Sequence, residues 1–572
     1  MGFGLVDHII LHGSIAVSLG IGIYFGFWKK SRTADEYLLG NRKMNVIPVA
    51  MSIIASCVTG VTFLGTSADV YAYGANMLWS GISCILANVI GGFLFVPVLI
   101  RCRAANVFEY FELRFDKKVK IVASCAYTLY ALLYSAILAY VPAIALAQAT
   151  DIHPQIVTSI VCTMCVFYTT VGGFRAVIWT DVFQLIGITI CVVFILVLGI
   201  KSVGSIGGII EMAVDGQRLD FNYSLDPTIR DGFWQVVLGG MVLWMFAAAF
   251  HPGTIQRYLS VSEFKNVVRV MALQCFGMVA VNAFCAFIGV ILYARYRNCD
   301  PVMAGDVRRY DQILPFFIME IGKKVPGLSG IFIAGIFSAT LSTLSSSFNT
   351  LSATIYGDLI APCISREALK GKECWILRLI VVITGGLCTC LTFLVEYMGG
   401  ILPFVTAFVG LVYGVLTGLF ILGLTFRRAN AKGAFYGSVT SFIFIGTIAA
   451  IGQWYSIQGA GVDFRKPMSV ADCPVPVNIT IVPTTHAEYT HSKPFVLFRI
   501  SFWYNSVLCT LMVIIVGMLV SCLTKTESVD PTLLSHIGRK GVSKGKLSTI
   551  KTYAVGMKDE SGHTYNFQRN VC

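Results

Sequence analysis

The stretch Ala334 to Asn349 reads AGIFSATLSTLSSSFN, an apolar segment interrupted by the hydroxyls of Ser338, Thr340, Ser342, Thr343, Ser345, Ser346 and Ser347. It reads as part of a membrane-spanning helix. At helical spacing the Ala339 carbonyl shares a face with the hydroxyls of Ser342 and Thr343, three and four residues further on. Hydroxyl and carbonyl oxygens are hard, neutral donors of the kind a small hard cation accepts. The same hydroxyls also serve as hydrogen-bonding links between helices in membranes. The run by itself leaves both readings open.

The surrounding chain narrows the choice. Of 572 residues, 56% are hydrophobic and 13% charged, with a mean hydropathy of +0.75. Ordinary globular domains carry roughly 25% charge, so this is an all-α integral membrane protein whose length goes into spans rather than soluble domains. The formal charge of +13 does not imply nucleic acid. The Lys and Arg form no aromatic-interleaved patch and fall mostly in short loops and the tail, where they orient membrane proteins. Most of the 18 cysteines lie in apolar runs and behave as small hydrophobes. Cys299 and Cys473 fall in loops assigned to the extracellular side, where a disulfide between them is one open pairing.

The first apolar run, 9–28, ends in Trp-Lys-Lys rather than at a small-residue cleavage site, so it is a retained span. Val6 stands where a myristoylation pattern requires Ser or Thr. Further runs able to cross ~30 Å of hydrocarbon lie at 46–70, 76–100, 119–148, 155–172, 178–202, 233–251, 265–294, 327–357, 376–397, 401–425, 433–453 and 496–523, which makes thirteen in all. Basic residues concentrate in 29–43, in 101–120 and after Leu523, whereas loops 71–75 and 149–154 have none. By the positive-inside rule the amino end lies outside and the tail inside. The sequons at Asn222 and Asn478 then fall outside, where glycosylation occurs. Loop 295–325, also placed outside, disagrees by carrying Arg295, Arg297, Arg308, Arg309, Lys323 and Lys324. The tail, 525–572, is polar and is expected to be disordered.

Two spans are interrupted in mid-course. The second contains ASCVTG, Ala55 to Gly60, a β-branched patch ending in glycine. The seventh contains FHPG, Phe250 to Gly253, where proline removes a donor and clashes with the preceding turn. A simple kink is the plain reading of either. The two lie five spans apart, each opening a group of five, and paired broken helices in corresponding halves point to a transporter's binding site. The carbonyls freed by unwinding need partners, and a bound cation is one.

Five motifs, DEYLLGNRKM (35–44), GGFRAVIWTDVFQ (172–184), QRYLS (256–260), DQILPFFIME (311–320) and the stretch from Pro326 to Ile360, carry a resemblance to the sodium/solute symporter family. ELRF (112–115) and DQILPFF lean towards its monocarboxylate, multivitamin and iodide branch. The resemblance implies two inverted five-helix repeats with broken helices, the LeuT-like arrangement. The chain then divides into an extra helix at 1–28, a first repeat at 45–202 and a second at 233–425. Two further helices with an extracellular loop, 456–495, occupy 430–524, and the tail follows.

The family implies Na+ as coupling ion. By motif, its ligands are the carbonyls of Ala55, Val58 and Ala339 and the hydroxyls of Ser342 and Thr343, the same face that helical spacing selects. No ligand is charged, so a monovalent ion leaves without breaking a salt bridge, whereas a divalent ion wants carboxylates. Asp181 matches an acidic position near the inner sodium exit; its plain reading is a helix-end charge. Thr62, Phe63, Tyr140, Trp244 and His251 match substrate positions, although large aromatics are more often packing. His251 is the most informative, because an ionisable side chain within a span is a functional hypothesis. No Lys or Arg is placed in mid-membrane to pair an anion. The chain is thus expected to be a multi-pass plasma-membrane symporter in the lipid bilayer, importing an organic anion such as a monocarboxylate or vitamin, or iodide. A sodium-dependent sensor without transport and a sodium-coupled sugar or inositol carrier are the alternatives. An enzyme is a distant third, with no HExxH, nucleophile elbow or phosphate-binding glycine loop outside a span.

Overall fold

The computed structural model describes residues 3–29, 33–102, 106–150, 152–323, 325–365, 371–397, 401–458, 464–473, 494–525 and 529–539. Among these there is no strand, and long apolar helices dominate. α1 (Leu5–Ile23) runs on through a π-type turn to Trp28. α2 (Val46–Cys57) and α3 (Gly60–Tyr73) are bent by 58° at the break between them. α4 (Ser80–Ile90), α5 (Lys117–Ala149) and α6 (Pro154–Val203) complete the first half. α7 (Phe233–Met245), α8 (Pro252–Leu259) and α9 (Phe264–Tyr296) open the second, followed by α10 (Leu328–Thr354), α11 (Glu373–Tyr397) and α12 (Ile401–Thr425). α13 (Ala431–Ile457) and α14 (Tyr504–Leu523) pack against α12.

Among the described residues eleven helices are long and apolar enough to cross a membrane, and the bent α2–α3 pair makes a twelfth span. Thirteen were expected. The difference lies in α6, where 155–172 and 178–202 run as one 50-residue stretch. A straight helix of that length would reach about 75 Å at 1.5 Å per residue, more than twice the ~30 Å of hydrocarbon. It is kinked at Gly173, whose φ is +62°. A Cβ there would also lie 2.7 Å from the Tyr37 ring, so backbone and space both require glycine.

Both expected breaks are present, each with a local cause. At the first, Val58 and Thr59 are extended, at φ −87°, ψ 96° and φ −93°, ψ 160°. The Thr59 hydroxyl accepts from the Thr62 N–H at 2.9 Å and so caps α3. At the second, α7 ends in a π-type turn, Phe246–Phe250, and His251 is extended at ψ 126°. Pro252 then starts α8 at the first helical position, where no donor is needed. The seventh span consequently continues past residue 251 to Leu259.

α10 is the central column, 89% buried over its most apolar window against 39% for α6. It packs on α1, α2, α5, α6 and α11. That explains how a helix so rich in hydroxyls persists here: its polar groups face protein rather than lipid.

On one side of the molecule, residues 464–473 close over the ends of α3 and α9. The Cys299–Cys473 disulfide is formed, and the Lys466 N–H donates to the Ala72 carbonyl at 2.8 Å. Arg218, wholly buried, donates to the carbonyls of Tyr71 and Pro467 and lies 3.8 Å from the Tyr293 ring centroid. On the other side, Arg114 caps the end of α12, donating to Gly423, Phe426 and Ala429 carbonyls at 2.8 to 3.1 Å. The start of the tail differs from expectation. The Ser535 N–H donates to the Leu424 carbonyl at 2.8 Å, and Leu534 is buried. A short apolar run within the polar tail is enough to seat it; residues 540–572 lie outside the described residues.

Candidate ion and solute site

The hydroxyl face of α10 meets the first break directly. Ser342 Oγ lies 2.8 Å from the Ala55 carbonyl oxygen and 3.0 Å from that of Ala339. Thr343 Oγ1 lies 3.1 Å from the Ser56 carbonyl and 3.0 Å from that of Ala339. Ala55, Val58, Ala339 and Ser342 are essentially inaccessible to solvent. Two hydroxyls thus bridge carbonyls that the ending of α2 leaves without helical donors and a carbonyl of α10 itself. Of the five oxygens that sequence placed together, those of Ala55, Ala339, Ser342 and Thr343 are linked by hydrogen bonds. Val58 is buried at the break beside them, and Ser56 supplies a carbonyl that sequence did not single out.

One turn along, a second buried cluster joins the same break to α6 and α8. Asp181 Oδ2 accepts from Ser52 Oγ at 2.6 Å and pairs with Arg257 Nη2 at 3.1 Å. Arg257 donates through Nε to Ser52 Oγ and through Nη2 to Ser56 Oγ, both at 2.8 Å, and to Ser346 Oγ. Its Nη1 reaches the Gly253 carbonyl at 3.1 Å, just past the second break. Ser56 Oγ and Ser346 Oγ are 2.6 Å apart. One guanidinium therefore ties both breaks to α6 and α10. This corrects the expectation that no Lys or Arg lies in mid-membrane: an arginine does lie within a span, and Ser346 belongs to its polar network. Nor is Asp181 a helix-end charge, since it is wholly buried in mid-α6. Sequence missed Arg257 because the apolar run ends at residue 251, which put QRYLS beyond the membrane.

The residues matched to substrate positions divide. His251 Nε2 is 3.2 Å from the Tyr127 hydroxyl, and its ring is edge-on to Tyr127 and Phe246. From there an aromatic column runs along α5. Tyr130 shares a 2.9 Å hydrogen bond with Tyr413 and stacks on Tyr134, whose hydroxyl faces Thr59 at the first break. Thr62 Oγ1 is 2.9 Å from Thr59 Oγ1 at the other end of that column, and Phe63 is buried beside it. Tyr140 is half-buried further along α5. Trp244 is half-buried at the end of α7, two residues before the π-type turn, with no ring contact to the His251 group among the described residues. Tyr127, Tyr130 and Tyr413 were not foreseen. The three- and four-residue spacing of Tyr127, Tyr130 and Tyr134 on α5 was visible, but nothing local marked that face as turned inward or brought Tyr413 of α12 to it. Asn222 lies on a half-exposed loop, its Oδ1 accepting from the Ser224 N–H at 2.8 Å; Asn478 lies outside the described residues.

Two broken helices facing a buried hydroxyl column, with neutral oxygens and a buried ion pair between them, define an ion-coupled membrane carrier. Residues 37–441 match the model of the Sodium:solute symporter family, and the chain belongs to that family. It is 33% identical to mouse sodium-coupled monocarboxylate transporter 2 over 542 residues, covering 93% of this chain and 86% of the relative. It is 33% identical to human sodium-coupled monocarboxylate transporter 1 over 558 residues, covering 92% and 89%. A solved Na+-coupled sialic acid symporter shares the fold at a TM-score of 0.75 and 22% identity, over 92% of this chain and all of that one. The protein is a sodium-coupled, multi-pass membrane symporter rather than an enzyme, and Na+ is its coupling ion.

Proposed function

We propose that sodium binds between the first break and α10, held by the carbonyls of Ala55, Val58 and Ala339 and the hydroxyls of Ser342 and Thr343. The observation that carries this reading is the reach of Ser342 and Thr343 hydroxyls to the Ala55 and Ser56 carbonyls across the helix interface. A small shift of either helix turns those oxygens from one another onto an ion between them. Every ligand is neutral, which suits a monovalent ion that must leave in each cycle. Asp181 lies next to this set on the way out, its charge already balanced by Arg257.

The solute site is the face formed by Thr62, Phe63, Tyr140, Trp244 and His251, extended by the phenols of Tyr127, Tyr130 and Tyr413. Phenol and imidazole donors suit a carboxylate without adding a fixed charge. The substrate is a small organic anion, a monocarboxylate or a vitamin such as biotin or pantothenate, or iodide; the monocarboxylate reading is the one that the names of the two relatives above support. Residues 45–202 and 233–425 act as the two inverted repeats. Rocking of one against the other about the shared site gives alternating access. The amino end faces outside and the tail inside, at the plasma membrane, and inward sodium movement contributes ~2.3 kcal/mol per 100 mV for each charge. The test is sodium-gradient-driven accumulation in vesicles with lactate, biotin, pantothenate, iodide, glucose and inositol as competitors. Competition by monocarboxylates or the two vitamins is expected; competition by sugars alone, or binding without accumulation, overturns the reading.

A further inference from the structure

A concavity of about 960 Å³ opens on the outer face of the molecule between α1 and the middle of α6. Its walls are apolar, with Val17 and Ile21 on one side and Phe183 and Ile186 on the other, and its floor is widened by Gly20, where an added Cβ would meet nothing within 4 Å. Its end is different. Lys29 and Lys43 line it, and neither forms a salt bridge among the described residues. Arg175 is already engaged, paired with Glu36 at 3.1 Å and donating to the Gly40 carbonyl. Tyr24 and Trp179, both half-exposed, sit at this end as interfacial aromatics do. Two ammonium groups without a carboxylate partner among the described residues, at the end of an open apolar trough, match one chemistry: a phosphate diester carrying acyl chains.

We propose that this groove holds one anionic glycerophospholipid, its chains along Val17, Ile21, Phe183 and Ile186 and its phosphate on Lys29 and Lys43. The proposal rests on the reading that residues 29–43 face the cytoplasm, the side on which anionic lipid is concentrated. The occupant then wedges the extra first helix against α6, the helix that carries Asp181.

The protein is purified in micelles of equal phosphatidylcholine and phosphatidylglycerol, and retained lipid is counted by native mass spectrometry. Leaflet sidedness plays no part in that measurement, so an error in orientation and an error in the site are read separately. The wild type is expected to keep one phosphatidylglycerol in preference to phosphatidylcholine. K29Q/K43Q should lower that retention roughly tenfold or more, as the loss of two surface charges implies. Gly20→Trp fills the trough without touching charge and should lower it equally, while K432Q, on an exposed site elsewhere, should not. Monodisperse elution of each variant establishes that it is folded. Equal retention of the two lipids by the wild type, or loss in K29Q/K43Q without loss in Gly20→Trp, overturns the groove as the site.

Discussion

Arg257 and Asp181 form a buried ion pair, 3.1 Å from Nη2 to Oδ2, in which α8 is fastened to α6. Both residues also hold Ser52 Oγ, so the pair and the first break share a hydrogen-bonding group. Removing one member of such a pair leaves the other buried and uncompensated, which costs about 3–5 kcal/mol, whereas replacing both is far milder. Asp181→Asn and Arg257→Met are each expected to lower the thermal midpoint sharply, and the double variant to recover part of the loss. Additive losses in a double-mutant cycle would show that the two side chains do not act as a pair.

Thr343 reaches both Ala339 and Ser56 carbonyls through one hydroxyl. Thr343→Ala removes an oxygen from the proposed sodium set while leaving the aromatic column intact. The sodium concentration for half-maximal uptake should rise roughly tenfold, as for a ligand worth about 1.4 kcal/mol. Maximal uptake at saturating sodium should change much less. An unaltered sodium dependence in this variant rules out the assignment.

The two breaks and the hydroxyl face were legible in sequence because their causes are local. Val58-Thr59-Gly60 and His251-Pro252-Gly253 disfavour helix wherever they occur, and Ala339, Ser342 and Thr343 share a face by spacing alone. Arg257 was not legible, because hydropathy marks a charge as outside a span unless its partner is known, and Asp181 lies 76 residues away. The division of α6 was legible too, because the apolar runs 155–172 and 178–202 part around Gly172-Gly173-Phe174-Arg175, and the kink falls at Gly173. What sequence did not show is that the chain stays helical through it, with the Tyr37 ring packed against the kink. The ordered start of the tail depends on Leu534 finding the end of α12, a contact that local composition does not reveal.

His251 stands at the second break with its Nε2 3.2 Å from the Tyr127 hydroxyl. His251→Ala withdraws one donor from the phenol face and leaves Tyr127 without that partner. Its expected effect is on preference: the ratio of uptake between lactate and biotin should shift at least several-fold, on the scale of one lost hydrogen bond of about 1 kcal/mol. Proportional loss for every substrate would instead mean that His251 supports the fold and takes no part in selection.

The Cys299–Cys473 bond pins the segment that also donates from Lys466 to Ala72. It closes a separation of 174 residues, and a native cross-link of this kind typically contributes about 2–5 kcal/mol. Cys299→Ser is expected to lower the thermal midpoint and to expose residues 464–473 to protease. Cys125→Ser, at an exposed free thiol, serves as control and should do neither. Equal behaviour of the two variants would mean that the segment is held by Arg218 and the backbone bonds alone.

Asp231 lies just before α7 and shares Arg230 with Asp69, while its Oδ1 accepts from Trp503 Nε1 at 2.9 Å. Burial pushes its carboxyl up from 3.8 to about 6, against the pull of Arg230 and with a further push from Asp69. Because the folded state then holds this proton more tightly than the unfolded chain, protonation of Asp231 favours the fold. That contribution is complete below about pH 3.8 and is lost as pH rises through about 6. Acidification from pH 7 to pH 5 should therefore raise the wild-type thermal midpoint relative to that of Asp231→Asn, which cannot titrate at this position. Wild type and variant are compared over the same buffers, so every other titrating group cancels to first order. A difference between them that stays constant from pH 7 to pH 5 would mean that Asp231 remains ionised throughout, with Arg230 outweighing burial.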